Sequence, residues 1–286
     1  LDRFGQGRAS TVIAGIEWII AHKDEYGIRV LNISIGGDPA GPVADDPMAQ
    51  AVEAAWEAGL VVVCAAGNEG EFGLGGILSP GNDPAVITVG ATDTRQTADP
   101  DDDTVCTYSS MGPTLYDEIA KPDLVAPGNR LISLRERASF IDRTYPENVI
   151  PVADYMPTAR AKVKSNYLKL SGTSTAAPVV AGAAALMIAE DPTLTPDDVK
   201  VRLMRSADTV AGATSHQQGA GMLDVDGALA ETTRAAGPAL SADLGDGTTI
   251  LSDDTYVEWT KFAWTKFAWT KFAWTKFAWT VLIEGQ

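Results

Sequence analysis

The stretch that most constrains the fold is Leu60-Val61-Val62-Val63-Cys64-Ala65-Ala66, an apolar run with no polar alternation. A run so short and so uniformly apolar predicts a strand buried on both faces, the habit of parallel sheets. Parallel strands need long crossovers, so helical spacing should flank it. Val12, Ile13, Ile16, Ile19 and Ile20 share one side of a helix over 11–23 that Gly27 closes, and residues 48–58 give a second helix ending at Gly59. Val30-Leu31-Asn32-Ile33-Ser34-Ile35, closed by Gly36-Gly37, and residues 85–90 read as further strands. This alternation predicts an α/β domain: a parallel sheet with helices on both faces. Ligands in such domains bind beyond the carboxyl ends of the strands, where Ser34-Ile35-Gly36 and Gly67-Asn68 lie.

The chain has 286 residues, of which 45% are hydrophobic, and a net charge of -16. It can bury a full core, and the charge argues against nucleic acid and anionic membranes as partners. The acid excess suits an extracellular protein, a calcium binder or a plainly solvated surface. Asp99, Asp101, Asp102 and Asp103 form an acidic loop that could hold calcium, although a solvated charge run is the favoured reading. Cys64 and Cys106 make neither a disulfide framework nor a zinc signature. They form one bridge or stay as buried thiols, the second being favoured. No uninterrupted apolar segment has the length of a membrane span, and no signal-peptide pattern is present.

Further on, residues 121–128 form a strand with prolines at both ends, and residues 135–168 read as a long irregular excursion. It leads to Leu170-Ser171-Gly172-Thr173-Ser174-Thr175-Ala176-Ala177-Pro178, a Gly corner running into a helix of small residues. Taken alone, Ser174 is more simply a helix cap than a nucleophile. Thr195 caps a further helix, with Pro196 at its first position and Asp197 and Asp198 in its first turn. A tight turn, a short strand and a helical turn over 219–229 close the domain near Glu231. Residues 232–258 read as a polar linker. From Trp259 the pentapeptide Trp-Thr-Lys-Phe-Ala runs four times, and Trp279-Thr280 begin a fifth copy. A period of five places successive Trp residues on opposite faces of a strand and winds them around a helix. A packed or self-associating β-type arm is the favoured reading of 259–286, against a merely adhesive tail.

Five separated blocks then point one way. Residues 31–37, 63–70, 109–113, 121–128 and 171–178 resemble, in order, the motifs of the subtilisin-like serine proteases, and Gly219–Val225 resembles their closing turn. The resemblance covers about residues 1–231 and implies a three-layer subtilisin-like sheet. It implies Ser174 as nucleophile and Asn68 as side-chain donor to the oxyanion. It implies that Ser34, Ile35 and Gly36 pair with substrate backbone, and that Ala65, Ala66 and Gly67 wall the pocket for the residue before the cut. Leu78 would narrow the floor of that pocket. Polypeptides would be the substrates, no cofactor would be needed for the chemistry, structural calcium is compatible, and the setting would be extracellular.

One departure stands out. The family needs an Asp and a His before the Ser. The histidines here are His22, on the first helix beside Lys23 and Asp24, and His216, downstream of Ser174. Neither matches the catalytic block. The chain therefore resembles the carboxyl-terminal portion of a subtilase whose Asp, His and central strands lie in an N-terminal portion before Leu1. The competing reading is a pseudoenzyme whose repeat tail drives self-association or attachment.

Overall fold

The computed structural model describes residues 7–158, 160 and 163–242; the repeat over 259–280 lies outside them. Its strands are β1 (Val30–Ile33), β2 (Val61–Ala65), β3 (Ile87–Asp93), β4 (Thr104–Val105), β5 (Leu124–Pro127), β6 (Leu131–Leu134) and β7 (Tyr167–Leu170). Its helices are α1 (Ala9–Tyr26), α2 (Pro47–Glu57), α3 (Phe140–Thr144), α4 (Val152–Tyr155), α5 (Thr173–Glu190), α6 (Pro196–Ser206), α7 (Ser215–Gln218) and α8 (Val225–Ala230).

The apolar run does form a strand buried at every position, with β1 on one side and β3 on the other, both parallel to it. Each fully buried Val in it contributes about 1.5–3 kcal/mol of transfer free energy. β5 adds to the far side of β3, again parallel, and the two-residue β4 pairs antiparallel with the end of β3. Helix α5 packs along β1, β2, β3 and β5, while α1 and α2 pack together and α2 covers β2. The α/β expectation therefore holds.

Local chemistry sets the ends. α1 stops where Gly27 turns left-handed at φ 64. The Asp46 side chain accepts from the N–H groups of Met48 and Ala49 and starts α2. Thr195 and Asp198 form a reciprocal capping box on α6. α5 is apolar on every side, which marks a helix built to be enclosed.

Three boundaries differ from expectation. β1 ends at Ile33, because the chain leaves the sheet and Gly37 exchanges hydrogen bonds with Ser79 at 3.0 and 2.9 Å. β3 starts at Ile87, since the N–H groups of Ala85 and Val86 are taken by the Asp83 carboxylate. The excursion expected to be irregular is framed by an antiparallel β6–β7 hairpin and carries α3 and α4, tied by an Arg135–Asp142 ion pair of 2.5 Å. Both cysteines are buried free thiols.

Candidate active site

Four segments meet at the start of α5. Gly172 sits at φ 147 and donates its N–H to the Gly128 carbonyl at 2.9 Å, so the corner is pinned to the end of β5. The same carbonyl accepts from the Thr175 hydroxyl and from Tyr108 Oη, each at 2.9 Å. A Cβ on Gly128 would lie 2.5 Å from that of Ala91, so only glycine lets the strands approach this closely.

Thr173 clamps the turn after β2. Its Oγ1 accepts from the Gly67 N–H at 3.1 Å, and its backbone N–H donates to Asn68 Oδ1 at 2.9 Å. With the amide oxygen fixed, the Asn68 –NH2 is a donor left over among the described residues. Ser174 occupies the first turn of α5, where backbone N–H groups have no intrahelical acceptor and the helix dipole is positive. Pro178 removes the N–H that would bond the Ser174 carbonyl, which frees the first turn further. The Ser174 hydroxyl donates to the Ser34 carbonyl at 3.2 Å. Nucleophile, amide donor and the end of β1 thus converge.

Ser34–Gly36 and Ala65–Gly67 face each other across Leu78. A Cβ on Gly36 would lie 3.1 Å from Leu78 Cβ, and one on Gly67 2.7 Å from Leu78 Cγ. Gly67 is also at φ +110, a conformation other residues rarely adopt. Beside Asn68, the Glu69 carboxyl is raised by burial and, second, by the charge of Asp38.

Neither histidine joins this group. His22 stacks on Trp18 at 4.2 Å on the outer face of α1. His216 lies in α7, its carbonyl bonded to the Gly112 N–H at 3.2 Å, and burial lowers its pKa. Asp93 and Asp99 cap local turns, Thr97 bonds Asp102, and among the described residues no three His, Cys, Asp or Glu side chains converge. Sequence reasoning missed the clamping roles of Thr173, Tyr108 and Gly128. Their only signal was position: Thr173 immediately precedes Ser174.

The family model for the subtilase family matches residues 2–221. The chain is a subtilase. It is 39% identical over 234 residues to serine protease AprX of Bacillus subtilis (strain 168), covering 80% of this chain and 50% of that one. Subtilisin DY of Bacillus licheniformis is 33% identical over 229 residues, covering 80% and 65%. The crystal structure of fervidolysin from Fervidobacterium pennivorans, a keratinolytic enzyme related to subtilisin, superposes with a TM-score of 0.57 at 26% identity. That match covers 78% of this subtilase and 29% of fervidolysin. The chain spans about half the length of the curated relatives it matches, 50% of AprX and 65% of subtilisin DY.

Proposed function

We propose that this subtilase chain carries the nucleophile and oxyanion half of a serine endopeptidase. The observation that carries the reading is the tethered Asn68. Its oxygen is held by the N–H of Thr173, the residue next to Ser174, at 2.9 Å, which leaves the –NH2 to serve as donor. In the proposed reaction Ser174 Oγ attacks the scissile carbonyl, and its proton passes to a histidine. The developing oxyanion is met by the Asn68 –NH2 and the Ser174 N–H. Collapse of that intermediate expels the amine and leaves an acyl-enzyme on Ser174, which water hydrolyses. Ser34, Ile35 and Gly36 would hold the substrate backbone as an added strand. Ala65, Ala66 and Gly67 would wall the pocket, with Leu78 as its floor favouring side chains of modest size.

The histidine and its orienting aspartate are assigned to an N-terminal portion preceding Leu1. Two surfaces support this. Among the described residues β1 pairs with β2 alone, so its outer edge is open to another strand. The face of α5 bearing Pro178, Gly182, Ala185 and Leu186 is exposed although wholly apolar. An extracellular setting is part of the same reading, supported by the net charge of -16. Self-association through the 259–280 repeat is proposed on its sequence alone. Deletion of that repeat should lower the mass seen by light scattering, and an unchanged mass would refute it.

A second reading, a pseudoenzyme, draws on the distance of both histidines from the Ser174 group. A fluorophosphonate probe applied to the intact protein separates the two. Labelling at Ser174, lost in Ser174→Ala, supports the protease; an unlabelled protein with its N-terminal portion in place supports the pseudoenzyme.

A further inference from the structure

Charge is unevenly spread along the chain. Residues 129–170 carry eight Lys and Arg against four Asp and Glu, a net +4 in a chain whose total is -16. Among the described residues of this segment only Arg135 forms an ion pair, with Asp142. Arg130, Arg137, Arg143, Arg160, Lys164 and Lys169 meet no carboxylate within 4.0 Å among the described residues. Arg137 donates instead to the Lys164 and Ser165 carbonyls and to Asn166 Oδ1, and Arg143 to the Ser139 carbonyl. Lys169 is half-buried and the other five are exposed. A lone surface cation is ordinarily just solvated; six in one segment of a protein this acidic make a local field of opposite sign.

Both ends of this segment are fixed at the Ser174 corner. It begins just after Gly128, whose carbonyl accepts from the Gly172 N–H, and β7 at its end runs directly into Ser171. The Arg130 N–H donates to Ser171 Oγ at 3.0 Å, and that hydroxyl donates to Asn129 Oδ1 at 2.8 Å. Arg130 sits at φ 54, uncommon for a residue with a Cβ, in the turn that these two bonds hold. One step along the hairpin Ile132 lies opposite Lys169, and Ile132 and Leu134 are 58% and 78% exposed. The strand ends follow the order β1, β2, β3, β5. Ser34–Gly36, at the β1 end, would hold the residues before the cut. Arg130 and Lys169 stand at the β5 end and so border the residues after it. The β1 side has the opposite sign: Asp38 follows Gly37, and Glu69 lies close enough to feel its charge.

We propose that the 129–170 segment selects polypeptides with acidic side chains on the leaving side of the cut, Arg130 and Lys169 being the residues that read them. The inference rests on the protease reading and adds a substrate class to it. An acidic stretch arriving after the cut finds cations that no carboxylate of the described chain neutralises, with exposed apolar side chains of Ile132 and Leu134 beside them. A basic stretch in the same place meets like charge, which discriminates against it. With Asp38 and Glu69 on the opposite flank, the two signs also fix the direction in which a polypeptide of mixed charge lies.

Peptide hydrolysis by the intact protein, its N-terminal portion included, tests this. Three substrates share every residue before the cut and carry Asp-Asp, Ser-Ser or Lys-Lys at the second and third positions after it. At low salt, kcat/KM should favour Asp-Asp over Lys-Lys by roughly tenfold or more, with Ser-Ser between, since each exposed charge pair is worth up to about a factor of five. The preference should collapse near 1 M salt, where the screening length falls to about 3 Å. Arg130→Glu combined with Lys169→Glu should lower the Asp-Asp to Lys-Lys ratio by at least about fivefold. Equal rates, a preference that survives 1 M salt, or an unaltered ratio in the double variant would each overturn the proposal. The salt series uses the parent protein, so it decides even where the double variant fails to fold. A chromogenic anilide, which ends at the cut, judges the protease reading separately. Should it not be cleaved, that reading falls, and fluorescence anisotropy of the same peptides on the intact protein judges the surface. Salt-sensitive binding of Asp-Asp over Lys-Lys would support it, and equal binding would overturn it.

Discussion

The two ends of β5 carry opposite kinds of polar chemistry. At its start, Lys121, Lys200, Asp123 and Ser241 are sealed from water and bonded to one another or to backbone carbonyls. At its finish, Thr173, Thr175 and Tyr108 are engaged, yet the Asn68 –NH2 and the Ser174 hydroxyl stay half-buried at the edge of a cleft. Full enclosure suits charges that exist permanently, because an unpartnered buried charge costs several kcal/mol. A donor kept open suits a charge that exists only in a transition state. The same strand thus anchors a closed electrostatic lock and an open one.

Substitutions at both ends test that contrast. On the proposed reading, Ser174→Ala should lower kcat by on the order of 10⁶, the loss known for the serine of subtilisin itself. Peptide hydrolysis measures it, and retained turnover would show that the open end does no chemistry. Asp123→Asn should cost about 3–5 kcal/mol of stability, because two buried ammonium groups lose their counter-charge. Denaturant unfolding reads this, and a change below about 1 kcal/mol would mean that the closed end is wetter than its geometry says. Asn68→Ala should lower kcat by about 10²–10³ with KM little altered, again the magnitude established for subtilisin. A pure KM effect would reassign Asn68 to substrate binding. Leu78→Ala should shift preference toward larger side chains before the cut by roughly 10–200-fold in kcat/KM ratio. An unchanged peptide-library profile would place the pocket floor elsewhere.

The open end was legible in the sequence because each part is a short local signal. Gly67-Asn68 follows an apolar strand, and Ser174 follows a Gly corner. Helices with side-chain caps, such as the one Thr195 begins, were equally plain. The closed end was not legible. Lys200 and Ser241 stand 41 residues apart, and a lysine in sequence reads as surface until the fold encloses it. The hairpin around 131–170 was missed for a related reason. Ile132 and Leu134 are 58% and 78% exposed, so β6 lacks the alternation of a half-buried strand. Thr173 escaped notice because it bonds the Gly67 backbone through its hydroxyl and the Asn68 side chain through its N–H, pairings that no spacing rule encodes.

The buried thiols give the molecule two internal clocks. Cys64 lies 0% exposed in the middle of the sheet, with burial lifting its thiol well above the usual range. Cys106 follows β4 at the rim, 9% exposed and raised by burial to about 11. An alkylating reagent in native buffer meets neither as a thiolate, so each modification records an opening event rather than surface reactivity. The rate at Cys106 should report the loosening of the sheet's edge, and a slower rate is expected at Cys64, for the parting of its centre.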